Sequence, residues 1–537
     1  MADNGFIPLE SFDHVIVLML ENRSFDNLLG YLYKDKNFPA GKKFEGLQKG
    51  YSNDIPEGYR TGHGETISVS RAASFNQPFP DPGEEYPHIN TQLYNHIKPT
   101  SNTGIYAIRM TPPYNLDEPI PSCAPMSGFV KDYINTLKAV GANDSTYKTP
   151  NYEQFSLIMQ CFEPDQVQVM SKLATSFAVF DHWHCSVPSQ TWCNRAFWHA
   201  GTSAGFVINP LDEDGETIED YLNLPLKWAE HMWKLPTLFT RLKNMNISSK
   251  IYADNTVALT HLIHGFKETS SAFGMDEFYA DLASLGQEEK APADRDLPQY
   301  SFVEPNFSGL GKLHNDQHPS AVNKEETPGT VLRGEKLIYE VYNAVKSSPL
   351  RDRILFVITH DEHGGCFDHV PPRSKGVVAP EKNMPYEQEG FQFDRLGVRV
   401  PMIMMSSHIA AQTIVQEDFD HTSFLYTMSK KWNFEHLTDR DANAVSFKSV
   451  FNHPERRDWP DLPHIDWPVE PPASEYQHYP LNDLQKAVVK IATAYALDKD
   501  PLRANALKLT LDAVKGVDTV GDAVEILKNV KKILYDL

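Results

Sequence analysis

Long apolar runs are missing from this 537-residue sequence. The longest near the N-terminus, residues 15–20, falls far below the roughly 18 residues that a bilayer-spanning helix requires, and no cationic segment or cleavage site precedes it. It reads as a buried strand. Basic residues are in deficit, 50 Lys+Arg against 71 Asp+Glu for a formal net charge of −21. With no long basic run, bulk charge cannot hold nucleic acid or an anionic bilayer. Cysteine is scarce as well: Cys123, Cys161, Cys185, Cys193 and Cys366 are odd in number and show no CxxC spacing. That excludes a disulfide framework and a zinc finger, and it points to a reducing compartment. Gly and Pro are dispersed and no fixed-period repeat exists, so collagen-like, low-complexity and solenoid classes fall away. Hydrophobic residues at 41% and aromatics at 11% describe a globular chain. The opening Met-Ala-Asp-Asn reads as a soluble start. The expected location is the cytoplasm, or outside the cell by a route that uses no cleaved signal.

What is present points to an α/β protein. The apolar segment HVIVLML runs directly into Glu21-Asn22-Arg23-Ser24-Phe25-Asp26, and a second, ILFVI from Ile354, runs into Thr359-His360-Asp361-Glu362-His363-Gly364-Gly365. A third, residues 398–405, carries Pro401, which places it at a sheet edge or starts it after the proline. Helical spacing fills residues 166–175 and 334–347 between them, so a largely parallel sheet is expected, with polar groups at the carboxyl ends of its strands. Residues 1–453 are read as one catalytic domain, within which 205–300, rich in Asp, Glu and aromatics and without a regular buried strand, is expected to form a cap. A Pro/Trp-rich linker at 454–480 leads to a helical appendage at 481–537 with apolar residues at helical spacing. Docking on the core, self-association, or contact with a membrane surface would each use that stripe.

Glu21-Asn22 and Asp361-Glu362 each place hard oxygen ligands on a rigid strand end, and two such pairs can converge on one divalent ion. His360, His363 and His369 add candidate ligands, proton donors or phosphate contacts. Three hydroxyl nucleophiles stand in one segment, Ser189, Thr191 and Ser203, with the cation Arg195 four residues past the second. Gly201-Thr-Ser203-Ala-Gly205 matches G-x-S-x-G literally, yet that elbow needs an apolar strand before it and the sequence there is NRAFWHA.

The stretches ENRSFDNLLGYL (from Glu21), DPGEEYPHINTQLY (from Asp81), MSGFVKDY (from Met126), FAVFDHWHCSVPSQTWCNRAFWHAGTS (from Phe177), NDQHPS (from Asn315), DEHGGCFDHVPP (from Asp361), RLGVRVP (from Arg395) and FDHTS (from Phe419) resemble, in that order, the phosphoesterase family. That family includes bacterial phosphatidylcholine-hydrolysing phospholipases C, plant non-specific phospholipases C and a related acid phosphatase. The resemblance covers residues 10–450. It implies an alkaline-phosphatase-like α/β/α sandwich with one divalent metal ion beside a hydroxyl nucleophile. Glu21 with Asn22, and Asp361 with Glu362, match the metal-binding pairs; Thr191 falls on the nucleophile; His88 and His318 match histidines that contact phosphate or leaving group. Glu304, His363, His369 and His421 are carried over as further substrate or phosphate contacts. Cys193 and Cys366 stand where bacterial relatives have other residues, which puts the shape of the head-group pocket in question.

The resemblance implies phosphoryl transfer to Thr191, with a histidine, His318 in preference to His88, protonating the leaving alkoxide and then activating water, and Arg195 as a candidate phosphate contact. The expected substrate is a glycerophospholipid such as phosphatidylcholine. A broad acid phosphatase using the same residues, a metal-independent serine esterase using Ser203, and a binding protein with a purely structural metal are the alternatives. The oxygen-rich ligand set suits Ca²⁺, Mg²⁺ or Mn²⁺.

Overall fold

The computed structural model describes residues 8–34, 38–39, 41–48, 50–60, 62–104, 115–116, 121–210, 218–254, 257–266, 269, 271–307, 313–319, 330–382, 391–467, 469, 472–510 and 516–535. Eight strands build the central sheet: β1 (His14–Leu20), β2 (Ala178–Phe180), β3 (Ser249–Ala253), β4 (Ala272–Phe273), β5 (Tyr300–Glu304), β6 (Ile354–His360), β7 (Met402–Met405) and β8 (Thr413–Val415), in the order β8-β2-β7-β6-β1-β5-β3-β4. All neighbours are parallel except β7, which runs antiparallel to β6 and β2. It begins immediately after Pro401, whose missing N–H the ladder does not need there.

β1 lies between β5 and β6, so both of its edges are paired, and all seven of its residues are buried, so both of its faces are covered as well. That is why HVIVLML shows no alternation of apolar and polar residues, and ILFVITH in β6 repeats the pattern. The two strands pair in register from His14 opposite Ile354 to Leu20 opposite His360. Glu21 and Asp361 therefore leave the sheet side by side.

The flanking helices that matter here are α1 (Phe25–Leu29), α2 (Tyr86–Tyr94), α3 (Phe129–Val140), α4 (Gln168–Ser176), α5 (Thr191–Ala200), α6 (Ile218–Met232), α7 (Leu259–His264), α8 (Val331–Ser347), α9 (Thr422–Trp432), α10 (Asp483–Lys499) and α11 (Val520–Leu534). Ser24 caps α1 by accepting from Asn27 N, and α5 ends at Gly201, whose φ of 71° closes the helix in the left-handed conformation.

One expectation is corrected. Residues 205–300 do contain a buried strand, β3, paired with β5 inside the main sheet. Its SKIYA sequence opens with two half-buried polar residues, which hide the apolar period. The 454–480 stretch is packed as well as connecting: Trp459 is buried, stacked on Tyr342 of α8 at 5.5 Å and edge-on to Phe177 at 5.2 Å. Of the three uses offered for the C-terminal stripe, the described residues show docking: α10 packs on α11, α6 and α7. Tyr535 Oη accepts from Ala258 N at 3.2 Å and lies 3.1 Å from His261 Nδ1. Among the described residues no helix is long and apolar enough to cross a membrane.

Candidate active site

The loops after β1 and β6 lock together. Asn22 N and Glu362 N both donate to Asp361 Oδ1, at 3.2 and 2.7 Å, and Arg23 N donates to Glu362 O at 3.1 Å. Asn22 itself sits at φ 53°, a conformation asparagine tolerates better than most residues. Gly364, at φ +59°, makes the closure possible, since a Cβ there would come within 2.3 Å of Asn22 O.

Helix α5 brings the third element. Its entry turn is tied by Asn194, whose Oδ1 accepts from Val187 N at 3.0 Å and whose Nδ2 donates to Ser189 O at 2.7 Å. This sets Thr191, the first residue of α5, with its Oγ1 donating to Glu21 Oε2 at 3.1 Å. Arg195 lies one turn further on the same face. Its Nε donates to Asp361 Oδ2 at 3.2 Å, its Nη2 donates to Glu21 Oε1 and to Met19 O at 3.2 Å, and its plane rests over Phe307 at 5.0 Å. Arg195 Nη1 has no protein partner and is buried.

A fourth element escaped the sequence reading. Glu84 accepts from Asn22 Nδ2 and, at 3.4 Å, from Gln190 Nε2. His318 lies against it, Nε2 at 3.8 Å from Glu84 and Nδ1 at 3.5 Å from Asp81. Asp81, Glu84 and His318 offer ligand atoms all within 4.8 Å of one another, and all three residues are buried. The signal was in the acidic DPGEE segment, but nothing local says which strand end that loop covers.

The remaining predicted residues divide. His363 Nε2 lies 2.8 Å from Gln92 Oε1, with Nδ1 3.4 Å from Glu362 Oε2. His421 accepts at Nδ1 from Trp183 Nε1, so its Nε2 donates to Asp361 O at 2.6 Å and props the loop from behind. His88 stands on α2 with Nδ1 2.9 Å from Asp132 Oδ1. Two others are held by partners of their own. Glu304 accepts from Leu259 N and Thr260 N, both at 2.8 Å, capping α7. His369 joins a buried cluster with Asp26, Asp368 and Arg399 that pins α1 to the β6 loop. Ser203 follows a helix instead of a strand and its Oγ donates to Phe206 O at 2.6 Å, so the literal G-x-S-x-G is no nucleophile elbow.

The electrostatics are those of a site short of positive charge. Burial pushes the Glu21 carboxyl well above its usual range, against the pull of Arg195 and with the push of Asp361; burial and then Asp361 do the same to Glu362. Burial also opposes the charge of Arg195, yet Glu21, Asp361 and Glu304 outweigh it and hold its pKa above the ordinary value. Asn22 Oδ1 and Glu362 Oε1 are buried acceptors without a protein donor. Acceptor oxygens left bare at the meeting of two acidic strand ends fit a divalent cation.

A family model fits this chain from residue 12 to residue 435, which spans all four elements of the site; it is the Phosphoesterase family. The chain belongs to the phosphoesterase family. As a phosphoesterase it is a phosphoric ester hydrolase. Non-specific phospholipase C6 of Arabidopsis thaliana is 32% identical over 82% of this chain and 72% of its own length, and non-specific phospholipase C3 of the same plant is 29% identical over 85% and 75%. Phospholipase C A of Mycobacterium tuberculosis is 23% identical over 85% of this phosphoesterase and 80% of itself. Among solved structures, a protein in the alkaline phosphatase superfamily from Vibrio parahaemolyticus overlays with a TM-score of 0.30 at 11% identity, covering 50% of this chain and 61% of that one.

Proposed function

We propose that this phosphoesterase is a phospholipase C that cleaves the phosphodiester of glycerophospholipids such as phosphatidylcholine to diacylglycerol and a phosphorylated head group. The observation that carries the reading is the Thr191 hydroxyl, held on Glu21 at the first residue of α5 beside the joined acidic strand ends. Glu21, Asn22, Asp361 and Glu362 would hold a divalent cation, with Ca²⁺, Mg²⁺ and Mn²⁺ all suited to the oxygen donors. Such an ion would neutralise a phosphate oxygen and make the neighbouring hydroxyl more acidic.

Thr191 Oγ1 passes its proton toward Glu21 Oε2, which already accepts its hydrogen bond, and attacks phosphorus in line. The open Nη1 of Arg195 and the positive end of α5 favour the phosphate at that point. The diacylglycerol alkoxide leaves with the electron pair of the broken P–O bond and takes a proton from a histidine. We assign that histidine as His88, which keeps a 15% exposed side chain, whereas His318 is enclosed between Asp81 and Glu84. Water then attacks the phosphothreonine while His88 accepts its proton; the Thr191 Oγ1–P bond breaks, the phosphorylated head group leaves, and Thr191 Oγ1 takes back its proton from Glu21.

Hydrolysis of phosphatidylcholine and of p-nitrophenyl phosphate by the wild type and Thr191→Ala, each with and without chelator, tests this. The expected result is phosphocholine release that both the substitution and the chelator abolish. Cleavage of the monoester alone would make the protein a phosphomonoesterase with the same site, and turnover by Thr191→Ala in chelator would remove both the nucleophile and the metal.

A further inference from the structure

A buried chain of polar side chains runs behind the site from α2 to the loop after β6, outside the steps above. At its centre is Asp132 of α3, 1% exposed on a helix face that also buries Phe129, Val130, Tyr133, Ile134 and Leu137. Asp132 Oδ1 lies 2.9 Å from His88 Nδ1 and accepts from Asn102 Nδ2 at 2.5 Å; Asp132 Oδ2 accepts from Gln92 Nε2 at 2.7 Å. Gln92 Nε2 also donates to Gly83 O at 2.7 Å, so both its amide protons are spent on acceptors and its Oε1 faces His363 Nε2 at 2.8 Å. His363 is the residue next to Glu362. One carboxylate thus reaches, through a single amide, from His88 to the metal-binding loop.

The backbone is shaped around this chain. A Cβ on Gly83 would come within 1.9 Å of His88 Nδ1, and one on Gly365, at φ +64°, within 2.6 Å of Gly83 O and 3.1 Å of Gln92 Nε2. Only glycine at both positions lets the DPGEE and HGGC loops close on the imidazole and the amide.

We infer that Asp132 is the positioning residue of His88, and that Gln92 carries the same anchorage to the Glu362 loop. A carboxylate on Nδ1–H fixes the imidazole tautomer and leaves Nε2 to give a proton to the leaving alkoxide and to take one from the incoming water. The burial of Asp132, with three donors converging on it, keeps that orientation rigid, and the Gln92 link keeps His88 in step with the loop that bears Asp361 and Glu362. The inference rests on the phospholipase reading above.

The test separates leaving groups. Phosphatidylcholine expels an alkoxide that needs a proton, whereas p-nitrophenylphosphocholine expels a phenolate that does not. For Asp132→Asn, which keeps size and shape, the expected first-turnover rate falls about 10²-fold or more on phosphatidylcholine, while the burst of p-nitrophenolate falls less than about tenfold. The alkaline limb of the phosphatidylcholine profile should move to lower pH, because Glu85 at 3.6 Å is then the one carboxylate left beside the ring among the described contacts. Gln92→Leu should instead raise, several-fold, the divalent-ion concentration needed for half-maximal activity and leave the leaving-group dependence as in wild type. An equal loss on both substrates, or no loss on either, would overturn the role of Asp132. An unchanged ion requirement in Gln92→Leu would overturn the link to Glu362. A wild type that releases neither product defeats the phospholipase reading itself, and the inference with it.

Discussion

Arg195→Met gives two effects of opposite sign, and both follow from where the guanidinium sits. It is 1% exposed and is the cation that faces Glu21 and, at 3.2 Å, Asp361. Removing one partner of a buried ion pair costs about 3–5 kcal/mol, because the charge left behind has neither water nor a counter-ion. The loss of the donor to Met19 O adds about 1 kcal/mol. In chelator, the variant should therefore unfold about 5 kcal/mol more easily than wild type. With saturating divalent cation the same carboxylates regain a positive neighbour, and the deficit should shrink to about 3 kcal/mol. By linkage, a 2 kcal/mol difference means that the variant binds the ion roughly 30-fold more tightly, since Arg195 no longer competes for Glu21 and Asp361. Urea unfolding of both proteins in chelator and in Ca²⁺, Mg²⁺ or Mn²⁺, with titration calorimetry of the ion, measures both quantities. A deficit that is the same with and without ion, or weaker ion binding by the variant, would refute the placement of the cation at these carboxylates. Catalysis should fall in either case, because the phosphate loses Nη1.

Two further perturbations test the frame around the site. Glu335 on α8 accepts from Val169 N at 2.7 Å and Met170 N at 3.0 Å at the start of α4, and burial raises its pKa from 4.5 to about 7. Between those values the folded protein keeps a proton that the unfolded chain releases, so this term favours folding below pH 4.5 and is lost as pH rises through 7. Glu335→Gln lacks the term, and its stability relative to wild type should improve by roughly 3 kcal/mol from pH 4.5 to 8; urea midpoints that move in parallel would contradict this. Gly364→Ala should lose ion binding and about 2–4 kcal/mol of stability, because its Cβ would press to 2.3 Å of Asn22 O at a positive φ. Ion affinity within threefold of wild type would mean that the two loops can close in another way.

The strand ends were readable because β1 and β6 are buried on both faces, so their apolar runs stop abruptly where Glu21 and Asp361 begin. Thr191 and Arg195 stood out only through the family-like stretch around them, as three hydroxyls there were chemically equivalent on paper. Asp81, Glu84, Gln92 and Asp132 could not be read at all. Each is a polar residue whose partner is set by how a loop or helix folds over a strand end far away in sequence. β3 was overlooked because its burial begins only at its third residue. Glu304 likewise ends a sheet strand beside β1, where its two oxygens accept from the start of α7 and its charge reaches Arg195.

The in-register pairing of β1 with β6 also sets what heredity can alter in this molecule. A residue gained or lost inside either strand slides its acidic pair along the sheet by about 3.3 Å and turns it to the opposite face. One indel there dismantles the chemistry without touching any of its side chains. The hundreds of residues that join the two strands are bound only where they return to the sheet or the site, at β5 beside β1, at Thr191 and Arg195 on α5, and at Glu84 and His318. Descendants of this chain can lengthen or shorten the exposed loops between those points, but the two strands must keep their length together.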